Sequence, residues 1–136
     1  MNHLIADCLF CKIIKGVIPS KKIFENEFSF VFLDIGPLSK GHSLIIPKYH
    51  AQKMHEIPDE YLADILPTAK KIANAIGCTD YNILQNNGKI AHQEVMHVHF
   101  HLIPKTASEG LGMSWHSQTP SMDELQQLAE EISKKI

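Results

Sequence analysis

HVHFHLIP, from His97 to Pro104, sets a histidine at every second position of an otherwise apolar run. A period of two is that of a β-strand, whose successive side chains point to opposite faces. His97, His99 and His101 therefore share one face, and Val98, Phe100 and Leu102 share the other and suit a core. Successive histidine α-carbons are expected about 6.6 Å apart, two rises of about 3.3 Å. A phosphate or a metal ion fits between groups at that spacing. One histidine on such a strand would simply face water. Three on one face, opposite a fully apolar face, point to chemistry.

Outward from this strand, KIFE (Lys22–Glu25), FSFVFLD (Phe28–Asp34), HSLIIP (His42–Pro47) and YNIL (Tyr81–Leu84) also read as strands, rich in aromatic and branched residues. Asn26–Glu27 suits a tight turn between the first two, and NNGK a turn or loop after YNIL. CLFCKIIKG, from Cys8, predicts a short helix that Gly16 ends. Between Asp59 and Ile76, the residues Leu62, Ile65, Leu66, Ala69, Ile72, Ala73 and Ile76 form one helical stripe, closed by Gly77. Pro67 interrupts that stripe and is expected to kink or break the helix. A last helix is expected from Asp123 to Ile136, with Leu125, Leu128 and Ile132 turned inward. Strands around one central helix give an α+β, mostly antiparallel architecture, and 136 residues suit a single domain spanning 1–136.

The chain is 44% hydrophobic and 21% charged, with a net charge of −2, which gives no support for a nucleic-acid or membrane surface. No apolar run approaches the roughly 20 residues of a membrane span. The start of the chain does not read as a secretory signal, so cytoplasm or nucleus is the expected location. Three cysteines, an odd number, argue against a disulfide framework. Cys8 and Cys11 form a C-x-x-C pair, which in a reducing compartment suggests a metal or a redox couple.

Imidazole can attack, donate or accept a proton near neutral pH. His99 has a histidine two residues away on each side, so it is the natural nucleophile, with His101 placed to bind or protonate substrate oxygens. A histidine nucleophile suits phosphorus, because the phosphoroimidazole it forms is readily hydrolysed. NNGKIAHQ lacks the spacing of a phosphate-binding P-loop. The same histidines could instead hold a catalytic zinc. On the chemistry alone, phosphoryl or nucleotidyl transfer and metal-assisted hydrolysis stand level.

HVHFHLI matches the His-φ-His-φ-His-φ-φ signature, φ being apolar, and so resembles the histidine triad (HIT) family. LFCKIIKGVIPSKKIFE, FLDIGPLSKGHSLIIPKYH and NILQNNGKIAHQEV resemble the corresponding segments of its Hint branch, in the same order. NNGKIAHQEV is especially similar to the fungal members. Together these segments run from about Cys8 to Lys105. The resemblance implies a five-stranded antiparallel sheet that continues across a homodimer. It further implies a purine nucleoside phosphoramidase, an adenosine 5′-monophosphoramidase that cleaves the P–N bond of AMP joined to an amine and needs no cofactor for catalysis.

Carried over by position, His99 attacks phosphorus, His101 contacts the phosphate, and His42 is the supporting fourth histidine. Asp34 falls where the family binds ribose hydroxyls. Phe10, Ile13, Ile18, Phe32, Ile35 and Leu44 match the apolar base pocket, and Asn86, Gln93 and Val95 the phosphate side. The plainer alternatives are a turn cap for Asp34, ordinary core for Phe32 and Ile13, and a left-handed turn position for Asn86. Where animal members of the branch carry Gly-Gln-Ser, this chain has His92, Gln93 and Glu94, a carboxylate that either points away or tunes the leaving group. Trp115 stands where the family places a tryptophan near the partner subunit's site.

The resemblance also gives the cysteine pair a place. Members with C-x-x-C here bind a structural zinc through both cysteines and two histidines, by position Cys8, Cys11, His50 and His97. Two other functions stay open alongside the phosphoramidase: a dinucleoside polyphosphate hydrolase of the Fhit type, and a nucleotide-binding module for regulatory protein partners. Fhit-type proteins usually carry glutamine at the last triad position, where this chain has His101.

Overall fold

The structure, a computed structural model, describes residues 3–136. Five strands form one sheet: β1 (Lys22–Glu25), β2 (Ser29–Leu33), β3 (Ser43–Pro47), β4 (Tyr81–Gln85) and β5 (Phe100–Pro104). Their order across the sheet is β1-β2-β3-β5-β4, and every pairing is antiparallel. A short helix α1 (Leu9–Ile14) precedes them, α2 (Asp59–Ile76) joins β3 to β4, and α3 (Met122–Ser133) follows β5.

The period of two in each strand divides two cores across the sheet. Val31, Ile45 and Leu102 face α2 and meet Ile65, Ala69, Ile72 and Ala73. Phe30, Phe32, Leu44 and Ile46 face the other way and meet Leu4, Cys8, Phe10, Cys11, Ile13 and Ile14 around α1. Register then fixes one triad side chain: His101 pairs with Leu44, which pairs with Phe32, so His101 projects on the α1 side. Asp64 of α2 ties the β1–β2 turn to the helix, its Oδ2 accepting from Asn26 Nδ2, Ser29 Oγ and Thr68 Oγ1 at 2.9, 2.7 and 3.1 Å.

Three expectations change. The last strand begins at Phe100, so His97 and His99 precede the paired segment. Val98 instead donates its N–H to the Ala51 carbonyl at 2.9 Å, and the His97 carbonyl is taken by a side chain. Helix α2 continues through Pro67 as one element. The carbonyl that Pro67 leaves without a donor belongs to Ala63, and both residues are exposed, so water can satisfy it. Leu66 lies at the edge of the stripe and is exposed, whereas Gly77 closes the helix in the left-handed conformation, φ 78°. Helix α3 is the third correction: Leu125, Leu128 and Ile132 are exposed, and no residue of α3 is buried. Among the described residues, none covers its apolar face.

Candidate active site

A cleft of about 640 Å³ opens between α1, the segment joining β2 to β3, and the loop before β5. One end is apolar and built from Phe10, Ile13, Ile18, Phe32 and Leu44, with Ile35 at the open rim. Phe10 meets Phe32 edge-on with ring centroids 5.6 Å apart, and meets His99 the same way at 5.1 Å. The same residues are therefore core and cleft wall at once. The other end carries Asp34, His42, Asn86, Val95, His99 and His101.

The partners of each imidazole assign its proton. His99 Nδ1 lies 2.7 Å from the His97 carbonyl, which can only accept, so the proton is on Nδ1 and Nε2 keeps its lone pair. The Leu38 N–H donates to His42 Nδ1 at 3.1 Å. His42 therefore carries its proton on Nε2 and donates it to His101 Nδ1 at 2.9 Å, which places the His101 proton on Nε2. Burial lowers the pKa of His42 and of His99, and together with the neighbouring His99 and His42 it pushes His101 down to about 4. At neutral pH all three are uncharged. Asp34 does cap a turn, accepting from the Gly36 N–H at 2.8 Å through Oδ1, while Oδ2 stands 3.5 Å from His42 Nε2. The turn-cap reading holds, and the residue also lines the cleft.

Behind His99 lies a second cluster. Cys8 Sγ and Cys11 Sγ stand 3.4 and 3.6 Å from His97 Nδ1, Cys11 Sγ stands 3.6 Å from His50 Nδ1, and the two Nδ1 atoms are 3.3 Å apart. Zinc held tetrahedrally at about 2.3 Å from sulfur and about 2.05 Å from nitrogen would space S–N pairs at about 3.5 Å and N–N pairs at about 3.3 Å. The donor set fits that metal. The Pro47 carbonyl accepts from His97 Nε2 at 3.0 Å, which leaves the Nδ1 lone pair facing the cysteines. Burial pushes the His97 pKa down to about 4, the neutral form a ligand needs.

Gln93 departs from its expected place. It is buried outside the cleft wall, its side chain accepting from the Gly88 N–H at 2.7 Å and donating to the Gln52 and Val95 carbonyls at 2.7 and 3.0 Å. It shapes the loop instead of touching the cleft. Asn86 is not left-handed; its Nδ2 donates to the His92 carbonyl at 3.3 Å, and in this loop it is Gly88 and His92 that have positive φ, 97° and 68°. Trp115 is exposed and lies outside the cleft wall. Wall residues not foreseen include Lys21 and Leu84, which pairs with His101 across β4 and β5; His92 and Glu94, whose part the sequence left open, also line the cleft. Strand pairing was the missing signal for Leu84.

Fold and site define a class: α+β proteins in which alternating histidines close one end of a deep cleft whose other end is apolar. The family model described as HIT domain matches residues 15–108, and the chain belongs to that family. It is 60% identical to an adenosine 5′-monophosphoramidase of Schizosaccharomyces pombe, over 95% of this chain and 98% of that one. It is 55% identical to an adenosine 5′-monophosphoramidase of Saccharomyces cerevisiae, over 96% and 84% of the two chains. Among solved structures, the histidine triad nucleotide-binding protein of Candida albicans superposes with a TM-score of 0.90 at 48% identity, over 95% of this chain and 96% of that one.

Proposed function

We propose that this protein is an adenosine 5′-monophosphoramidase, a hydrolase that cleaves the P–N bond of AMP–amine conjugates with His99 as nucleophile. The observation that carries the reading is the 2.7 Å bond from His99 Nδ1 to the His97 carbonyl, which leaves Nε2 unprotonated and fixed in direction. In the first step a bond forms from Nε2 to phosphorus as the P–N bond breaks, and the amine departs with a proton from solvent. Water then attacks phosphorus, the His99–phosphorus bond breaks, and AMP is released. The family needs no cofactor for these steps. His42 fixes the tautomer of His101, so that Nε2–H is the donor offered to a phosphate oxygen. The apolar end takes the base, Asp34 the ribose hydroxyls, and Asn86 with the Val95 backbone the phosphate side. Names at 55–60% identity over nearly the whole chain support the activity.

The test is kinetic. Hydrolysis of AMP-NH2 should exceed that of diadenosine triphosphate by at least about a hundredfold in kcat/KM, the ratio by which an enzyme tells two substrates apart. Faster cleavage of the dinucleotide would make this a polyphosphate hydrolase instead. Nucleotide binding with no turnover of either would make it a binding module for regulatory partners.

Zinc at Cys8, Cys11, His50 and His97 belongs to the same reading. When bound, it supplies a cross-link between α1 and the segment before β5; four protein ligands leave no position for a reacting water. A homodimer belongs to it as well. β4 is a sheet edge with Tyr81 and Ile83 exposed, and a second copy would pair its free N–H and C=O groups and cover apolar surface. Sedimentation at micromolar concentration should give twice the chain mass; a monomer would contradict the paired edge.

A further inference from the structure

We propose that Glu94 makes this cleft select phosphoramidates whose leaving amine carries a positive charge, an inference that rests on the phosphoramidase reading above. Two carboxylates line the cleft, Asp34 and Glu94. Asp34 is committed to the Gly36 N–H and to His42. Among the described residues, no lysine or histidine nitrogen lies within 4 Å of the Glu94 carboxylate, and its side chain makes no hydrogen bond within the chain. It is a charge on the wall without a partner of its own.

The wall that carries it is rigid. Gln93, next in the chain, is buried and anchored by three side-chain hydrogen bonds, and its N–H donates to the Gly88 carbonyl at 3.0 Å. His92 is held left-handed, with its carbonyl bonded by Asn86. Glu94 lines the same cleft as His99 and His101, between His92 and Val95, which also line it. A phosphate bound at His99 brings its own negative charge to that carboxylate. An anionic leaving group adds repulsion, and a cationic one relieves it. Because Glu94 is exposed, water and salt screen the effect, so the expected discrimination is modest, about tenfold between leaving groups that differ by two charges.

The experiment compares AMP joined through a P–N bond to ethylenediamine (cationic tail), propylamine (neutral) and β-alanine (anionic). In the wild type, kcat/KM should favour the cationic over the anionic conjugate by about tenfold at low salt, and by much less near 0.5 M salt. Glu94→Gln should bring that ratio within about twofold, and Glu94→Lys should reverse it. A wild-type ratio near one, or a ratio that neither substitution moves, overturns the proposal. If the wild type hydrolyses none of the three, the neutral conjugate included, the phosphoramidase reading fails and this inference goes with it.

Discussion

Alanine at His99 is expected to lower kcat on AMP-NH2 by on the order of 10⁴-fold, because the proposed nucleophile is removed. The geometry says why no neighbour replaces it. His101 Nδ1 accepts from His42 and its Nε2 carries the proton, so it offers a donor and no lone pair. His97 has both ring nitrogens committed, Nε2 to the Pro47 carbonyl and Nδ1 to the cysteine side. AMP binding should change by no more than about threefold in Kd, since the apolar end around Phe32 and Leu44 stays intact. Titration calorimetry and stopped-time kinetics on the same preparation separate the two effects. Retained activity within tenfold of wild type would assign the attack to another group. Wild-type protein quenched during turnover should carry one AMP on His99, seen as a mass increase on the peptide that holds it.

Loss of the metal is expected to have the largest effect on stability. Elemental analysis should find about one zinc per chain, and removing it should lower Tm by on the order of 10 °C or more, because binding energy at a structural site is folding energy. The cluster joins parts distant in sequence: α1 through Cys8 and Cys11, the end of the β3 segment through His50, and the segment before β5 through His97. A Cys8→Ser, Cys11→Ser double variant should show the same drop. It should still hydrolyse AMP-NH2, at a reduced rate, since the His97 carbonyl that orients His99 would lose the metal's hold on its side chain and keep the Pro47 contact and the Val98–Ala51 bond. A folded, metal-free protein that is wholly inactive and is rescued by zinc would make the metal catalytic and displace His99 from its role.

How far the sequence carried these conclusions depends on whether the signal was local. Alternation in HVHFHLI and the aromatic and branched residues of FSFVFLD and HSLIIP pointed to strands, and the stripe from Asp59 to Ile76 marked α2 at both ends, because burial of one face imposes its period on the chain. The period failed at α3. Leu125, Leu128 and Ile132 have helical spacing, but spacing alone does not say whether the covering surface belongs to the same chain. Pro67 does not break α2, for a similar reason: its cost depends on whether the freed carbonyl reaches water, which is a matter of exposure.

By itself, then, the sequence determined which residue types could do chemistry and which face of the strand they occupy. The resemblance of four ordered segments assigned them roles. Only the tertiary structure decided the state of each imidazole, because that depends on partners far away in the chain: Leu38 for His42, His42 for His101, Pro47 for His97. The same holds for Gln93, turned into the loop by Gly88 and Gln52, and for Glu94, left on the wall with no ion-pair partner among the described residues. A hydrogen bond is short and directional, so it is fixed by atoms within about 3 Å. Sequence spacing fixes such neighbours only within one strand or one turn of helix, and the site is assembled from five separate stretches of chain.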